Sequence, residues 1–342
     1  MVITSDSHDT FRGHPIFDVL ERLSCMEDVR KSPKYQPYLF AKSGIKEASV
    51  SESWDLDAYK FIPQVQLAWE LYPGKKWYLF IDDDTYIHWP ELLRFLPTLD
   101  EKMPHYMGER NFFTDKSDNG NFDGFEFIHG GGGVLLSQKT MEILNVQEAS
   151  RFQSFAAHAN NVCCGDVVLA MALSSCNIKP NVKECLGMFN NKAISNTRFD
   201  SRRWCGIMLS HHYFKADDYE KISVLTRKRW VDLFNELTRF RNLRLSKGYD
   251  FTDSSSIPVS TKSRVQKAED CKAYCAKSSK CLAWSLNLKT DECRLAPFVH
   301  PGREKAGFVS GAMQDRLDSM TAQCDKFGSS FGNFMEEIKG FG

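Results

Sequence analysis

The stretch KKWYLFIDDDTYI, residues 75–87, determines how the first part of the chain is interpreted. Five apolar residues, 77–81, precede three consecutive aspartates, Asp82, Asp83 and Asp84. A short apolar run of this kind predicts a buried strand in a mixed or parallel sheet. Strand alternation directs Asp82 and Asp84 to one side, where close like charges favour a divalent cation. A solvated turn is the alternative interpretation, because Asp is common where strands end.

Two classes of enzyme place such a D-x-D motif at the end of a strand. Haloacid-dehalogenase-like phosphatases need Thr at the position of Tyr86, whereas here the threonine is Thr85. Nucleotide-sugar glycosyltransferases use the acids to hold a metal that neutralises the donor diphosphate. The motif alone leaves both classes open, and the rest of the chain has to decide between them.

The composition indicates the cellular compartment of the protein and argues against one class of partner, nucleic acid. The 342 residues carry no formal net charge and are 42% hydrophobic, enough for two domains and without the positive charge that nucleic acid attracts. Eleven cysteines indicate an oxidising compartment. The N-terminus MVITSDSHDT offers no leader, and no window is long and apolar enough to span a bilayer. We therefore expect a sequence that lacks a membrane anchor.

Helical spacing of apolar residues predicts a helix over residues 54–72, capped by Asp55 or Asp57 and followed directly by the acidic strand. Further along, four consecutive glycines, 130–133, are costly to order, so we expect a ligand or another backbone to approach them. Asp166 lies in the first turn of an apolar helix predicted over residues 162–176, where it is either a cap or a functional acid.

The second half of the chain supplies histidines and a cysteine-rich segment. His211 and His212 follow an apolar run, and a His pair beside a proposed metal site is a good ligand candidate. Residues 252–263 are rich in Ser and Thr and predict a linker. Beyond the linker lies a unit so small that it needs disulfides to be stable, with cysteines Cys271, Cys275, Cys281 and Cys293.

Taken in order, these segments resemble glycosyltransferase family 31, specifically the fringe and core-1 β-1,3-galactosyltransferase branch and its fungal relatives. The resemblance implies an α/β fold of the GT-A type, a Rossmann-like mixed sheet flanked by helices, in residues 1–250. Relatives have an additional first strand and helix, which this chain is expected to lack. The matching segments are WDLDAYKFIPQV (54–65), KKWYLFIDDDTYI (75–87), HGGGGVLLS (129–137), CCGDVVLAMAL (163–173) and WCGIMLSHHYF (204–214).

The resemblance also implies roles for single residues. Asp84, assisted by Asp82, and His212 would bind the metal, with His211 as the reserve choice. Asp166 would be the general base, although Gly165 stands where relatives have a second acid. The residues implied to contact the UDP-sugar are Asp82, Asp83, Gly131, Gly132 and Gly133.

The activity implied is metal-dependent transfer of a hexose with inversion, using Mn2+ or Mg2+. Galactose in a β-1,3 linkage is the expected sugar, moved from UDP to a glycan or glycoprotein acceptor. The alternative is a truncated, catalytically inactive homologue that binds carbohydrate or protein. The resemblance implies that the full-length form is a type II membrane protein in the Golgi lumen. Whether the protein forms a homodimer is an open question at this point. Neither reading involves nucleic acid.

Residues 266–315 resemble a PAN/apple module, a small disulfide-rich α+β unit that follows the linker at 251–265 and precedes a tail at 316–342. The resemblance implies the disulfides Cys271–Cys293 and Cys275–Cys281. In the first domain, we expect Cys163 or Cys164 to pair with Cys176, and Cys185 to pair with Cys205. The odd number of cysteines leaves at least one thiol unpaired.

Overall fold

The computed structural model of the chain describes residues 1–45, 49–113, 125–181, 183–225, 229–254, 256–258 and 265–326. Residues 114–124 lie outside the described residues, as do 255 and 259–264 of the predicted linker and 327–342 of the predicted tail. The chain divides into two compact units. The first comprises residues 1–81 and 100–182, and the second comprises residues 82–99 and 183–342.

Helices and strands are mixed throughout, which agrees with the predicted combination of an α/β domain and a small α+β module. The strands are β1 (Ile3–Ser5), β2 (Asp9–Phe11), β3 (His14–Asp18), β4 (Trp77–Phe80), β5 (Tyr86–Ile87), β6 (Tyr106–Met107), β7 (Arg110–Phe113), β8 (Phe125–Ile128), β9 (Val134–Ser137), β10 (Phe199–Asp200), β11 (Ser210–His211), β12 (Ser246–Asp250), β13 (Ile257–Pro258), β14 (Ala283–Asn287), β15 (Glu292–Ala296), β16 (Phe298–Val299) and β17 (Arg303–Ala312). The α-helices are α1 (Glu27–Arg30), α2 (Gln36–Lys42), α3 (Val50–Leu56), α4 (Phe61–Leu71), α5 (Trp89–Phe95), α6 (Gln138–Glu142), α7 (Ala149–Ser154), α8 (Gly165–Ser175), α9 (Ala216–Ser223), α10 (Trp230–Thr238), α11 (Ala268–Lys277) and α12 (Gln314–Lys326). Short 3-10 helices occupy Leu20–Leu23, Asp57–Tyr59, Leu96–Thr98, Gly130–Gly132, Phe155–Asn160 and Ile194–Asn196, and a π-helix occupies Ile143–Gln147.

The first unit contains three small sheets around one apolar core. β3 pairs with β1 in parallel and with β2 antiparallel. β9 lies between β4 and β6, antiparallel to both, and β7 pairs antiparallel with β8. Helix α8 is almost wholly buried, and its Val168 and Leu169 join Ile62 and Val65 of α4 in the core.

The acidic segment differs in two respects from the buried strand that its sequence predicts. Strand β4 ends at Phe80, and Ile81 is 45% exposed, so the apolar run is not covered on both faces. Its described partner β9 is antiparallel. The mixture of helix and strand is as expected, while the Rossmann-like arrangement of the GT-A type stays a prediction.

The single helix predicted over residues 54–72 is interrupted. Helix α3 ends at Leu56, a 3-10 turn follows, and α4 begins at Phe61. At this turn Gly165 of α8 comes so close that an added Cβ would lie 2.6 Å from the carbonyl oxygen of Asp57. The cap is also different from the prediction. Ser49 accepts a hydrogen bond from the backbone N–H of Glu52, whose side chain accepts from Ser49 N–H in return.

The second unit contains a five-stranded antiparallel sheet in the order β12-β17-β14-β15-β13, with α11 packed against it. Both disulfides expected from the PAN/apple resemblance are formed, Cys271–Cys293 and Cys275–Cys281. The sheet begins at Ser246, before the predicted linker, and Thr252 and Asp253 at the start of that linker are buried. Strand β13 lies within the predicted linker and joins the same sheet.

The other cysteine pairings in the first domain were predicted wrongly. Cys163 and Cys164 are joined to each other, which leaves Cys176 with a free thiol. Cys205 is bonded to Cys324 of α12 and not to Cys185. The Cys205–Cys324 bond links residues far apart in the sequence, so local spacing carried no signal for it.

A polar network, buried except for Arg198, connects the five-stranded sheet to residues that precede it in the sequence of the second unit. Asp253 accepts a hydrogen bond from Arg198, with 2.7 Å between Arg198 Nη2 and Asp253 Oδ2, and lies 3.2 Å from His300 Nε2. His300 Nδ1 is 2.9 Å from the carbonyl oxygen of Thr197. Strand β10 pairs with β16 at the same place.

Among the described residues, every helix is too short or too polar to cross a bilayer.

Candidate metal centre

The three aspartates lie in a tight turn that follows β4. The backbone N–H of Asp82 donates to Thr85 Oγ1 at 3.2 Å, and the N–H of Thr85 donates to the carbonyl oxygen of Asp82 at 3.1 Å. The turn, and not the strand alternation assumed from the sequence, therefore sets the directions of Asp82 and Asp84. Thr85, which stands one position before the threonine that the phosphatase pattern needs, closes this turn.

Strand β5 leaves the turn and pairs antiparallel with β11, which carries the histidines. Ser210 lies opposite Ile87, and His211 lies opposite Tyr86. This register places the residue after β11, His212, beside the aspartate turn. The N–H of Phe214 also donates to the carbonyl oxygen of Asp84 at 2.9 Å, so the two segments are fastened on both sides of His212.

Three side chains converge at this point. His212 Nε2 lies 3.3 Å from Asp84 Oδ1 and 3.9 Å from Asp82 Oδ2, and one ligand atom from each side chain lies within 4.8 Å of the others. The imidazole is buried, while the Asp82 side chain is 51% exposed and the Asp84 side chain 39% exposed. One imidazole and two carboxylates are donors that Mn2+ accepts, and the exposed side leaves room for further oxygen ligands. Asp83 is exposed and does not belong to this group of three.

The reserve histidine, His211, points into the core. Its ring lies 5.1 Å from the ring of Trp230 and 5.2 Å from that of His88. Burial, together with nearby His88 and Arg203, lowers the pKa of His211 well below its ordinary value, so the ring is neutral. Neighbouring residues of a strand face opposite ways, which explains why only one of the two histidines reaches the aspartates.

Asp166 lies in the first unit, in the first turn of α8. Its Oδ2 accepts a hydrogen bond from the N–H of Gly130 at 2.9 Å, and its Oδ1 accepts from the N–H of Val167 at 2.8 Å. The side chain is nearly buried. Asp166 thus ties the first turn of α8 to the glycine run, whereas the N-cap residue of this helix, Cys164, makes no side-chain capping hydrogen bond. The role of Asp166 as a base stays a prediction.

Comparison with known families identifies two regions of the chain. The model of the Fringe-like family matches residues 46–224, which is more than half of the chain. This range includes the aspartate turn, Asp166 and His212. The chain belongs to the Fringe-like family. The PAN domain description matches residues 242–305. No curated protein matches the chain significantly.

Fringe-like proteins are glycosyltransferases of the secretory pathway, so the chain carries a glycosyltransferase domain followed by a PAN domain. This order is the one that the resemblance implied. The PAN match begins at residue 242, close to the first strand of the five-stranded sheet, β12.

The glycine run of the Fringe-like domain is buried. Close packing accounts for one of its glycines, and backbone conformation accounts for another. A Cβ on Gly130 would lie 2.9 Å from the ring of Phe61. Gly133 has φ +93°, a conformation that other residues rarely adopt. A ligand or another backbone was expected to approach the run, whereas the close neighbour of Gly130 is the side chain of Phe61. Donor binding by Gly131, Gly132 and Gly133 stays a prediction.

A second group of potential ligands in the first unit, His8, Asp18 and Glu21, is less suited to a metal. The buried Asp18 carboxylate already accepts hydrogen bonds from Tyr38 and from Lys42 Nζ, the latter at 2.7 Å. The hydrogen bond to Asp18 raises the pKa of Lys42, so a positive charge already stands where a cation would bind.

Two further residues contact His212 of the candidate metal centre, and the sequence analysis assigned neither of them a role. The carbonyl oxygen of Asn190 accepts from the N–H of His212 at 3.0 Å, and the ring of Tyr213 stacks on His212. Tyr213 was visible in the HHYF segment, but its unusual backbone conformation has no signature in the sequence.

Proposed function

We propose that this Fringe-like protein is a metal-dependent, inverting glycosyltransferase that moves a hexose from a UDP-sugar to a glycan or glycoprotein acceptor. The proposed sugar is galactose, and the proposed product is the acceptor that carries it in a β-1,3 linkage. The observation that carries the proposal is the convergence of Asp82, Asp84 and His212 within the Fringe-like domain. A solvated turn would not require a buried imidazole beside two carboxylates.

The donor set fits Mn2+, and Mg2+ is the second choice because Mg2+ prefers oxygen ligands. Asp82, Asp84 and His212 would hold the ion. When bound, the ion supplies positive charge that neutralises the departing UDP. Asp82 and Asp84 are exposed enough for a diphosphate to reach the same ion, and we assign Asp83 to the nucleotide.

The chain's own residues would do the remaining work. The buried His212 is held by its backbone hydrogen bond to Asn190 and loses little freedom when it binds a cation. Asp166 is proposed as the base that accepts the proton from the attacking hydroxyl, and its two backbone hydrogen bonds fix the carboxylate direction. We propose that Gly131, Gly132 and Gly133 line the donor pocket, that the enzyme works in the Golgi lumen, and that the PAN domain recognises the glycoprotein acceptor.

The test is release of UDP from UDP-galactose, UDP-glucose and UDP-N-acetylglucosamine by the purified chain, with Mn2+ and with a chelator. We expect UDP release that needs Mn2+, is fastest with UDP-galactose, and is lost in Asp84→Ala. Folded protein that binds UDP with Mn2+ but releases none from any donor would support the inactive, binding homologue instead. Equal release with the chelator would contradict the metal dependence.

A further inference from the structure

Tyr213, the residue after the candidate metal ligand His212, has a backbone conformation that is unusual for its type. Its φ is +52°, in the left-handed region. Among the described residues, the other non-glycine residues with positive φ are Arg12, Asn177 and Asp291, so Tyr213 is the aromatic one. A bulky side chain in this region costs conformational energy, and such residues cluster at functional sites.

The left-handed conformation changes where the ring points. In a regular strand, Tyr213 and His212 would face opposite sides. Here the two rings are stacked, with centroids 3.8 Å apart and planes inclined by 27°. Tyr213 is nevertheless 52% exposed, so the ring covers the imidazole and does not fill the core.

Anchored residues on both sides hold Tyr213 in place. His212 N–H donates to the carbonyl oxygen of Asn190, and Phe214 N–H donates to that of Asp84. The Phe214 ring also stacks on Tyr86, with centroids 4.4 Å apart. The surrounding structure therefore enforces the strained conformation, and this conformation brings the Tyr213 ring onto the imidazole of His212.

We propose that Tyr213 is a positioning residue for the metal centre. Its ring fixes the plane of the His212 imidazole so that Nε2 stays directed at Asp84 and the cation. This inference rests on the proposed function, because it assumes that His212 binds the metal. Partners that orient a ligating histidine change metal affinity by about 10- to 100-fold when they are removed.

The experiment measures Mn2+ affinity by calorimetry, with no donor present, for wild type, for Asp84→Ala and for three tyrosine variants. Tyr213→Asn tolerates the left-handed conformation but lacks the ring, so we expect affinity to fall by about tenfold while thermal stability is kept. Tyr213→Phe keeps the ring and should bind like wild type. Tyr72→Asn is the control, because Tyr72 is also an exposed tyrosine, 45%, and belongs to the first unit, whereas the proposed ligands belong to the second. It should also bind like wild type.

The outcomes distinguish a failure of this inference from a failure of the proposed function on which it rests. If wild type binds no Mn2+, both the metal centre and the role of Tyr213 are wrong. If wild type binds Mn2+ and Asp84→Ala does not, the metal centre stands, and equal affinity in Tyr213→Asn would then overturn the positioning role alone. A weakened Tyr213→Phe would also overturn it, because the hydroxyl and not the ring would be responsible.

Discussion

The Cys205–Cys324 disulfide should contribute more to stability than either disulfide of the PAN domain. It joins residues 119 positions apart, whereas the two PAN disulfides span 22 and 6 positions. In the chain-entropy relation, stabilisation grows with the logarithm of loop length, and a loop of this size corresponds to about 5 kcal/mol at 25 °C. Removal of a native disulfide typically costs about 2–5 kcal/mol, so we expect the free energy of unfolding to fall by about 3–5 kcal/mol in Cys205→Ala/Cys324→Ala.

Urea denaturation followed by tryptophan fluorescence measures this effect. Trp204 is a suitable reporter, because its Nε1–H donates to Thr321 on the helix that carries Cys324. Cys25→Ala is the control, since Cys25 is an exposed free thiol, and it should unfold like wild type. Thiol titration of denatured, unreduced protein should give the same number for wild type and the double variant. A loss of stability below about 1 kcal/mol, or extra thiols in wild type, would refute the reasoning.

Three further predictions concern packing, pH and catalysis. Gly165→Ala should lower the free energy of unfolding of the first unit by about 1–3 kcal/mol, because its Cβ would lie 2.6 Å from Asp57 O; unchanged thermal stability would contradict this close packing. Burial alone would raise the pKa of Asp250, but hydrogen bonds from Ser285, Lys305 and Thr252 outweigh it and hold the pKa below its ordinary value. The stability that Asp250 contributes is therefore complete above about pH 4 and is lost as the pH falls through the lowered pKa, so unfolding curves of Asp250→Asn should depend less on acid pH than those of wild type. Asp166→Asn should reduce sugar transfer by about 10²- to 10⁴-fold with unchanged Mn2+ affinity, and full activity in this variant would remove Asp166 from the mechanism.

Local sequence patterns predicted the elements whose structure depends on nearby residues. The apolar run after Asp166 forms the buried helix α8, within the range predicted for it. The two PAN disulfides followed from the resemblance to a PAN/apple module. The ligand group of Asp82, Asp84 and His212 followed from the family resemblance, although a turn, and not a strand, brings the aspartates together.

Features that depend on distant residues could not be predicted in the same way. The break between α3 and α4 coincides with the approach of Gly165, more than a hundred positions away. Cys205 and Cys185 are closer in sequence than Cys205 and Cys324, but α12 brings Cys324 to the bond. The conformation of Tyr213 results from hydrogen bonds on both sides of it, and no periodicity in the sequence contains them.

Calorimetry of UDP binding to the purified chain, with and without Mn2+, tests the central claim most directly. The metal centre predicts UDP binding that requires Mn2+ and is abolished in Asp84→Ala, while Cys25→Ala binds like wild type. UDP binding that is independent of Mn2+, or that survives in Asp84→Ala, would contradict the assignment of Asp82, Asp84 and His212. Absence of binding by folded wild-type protein would contradict the proposed transfer from a UDP-sugar.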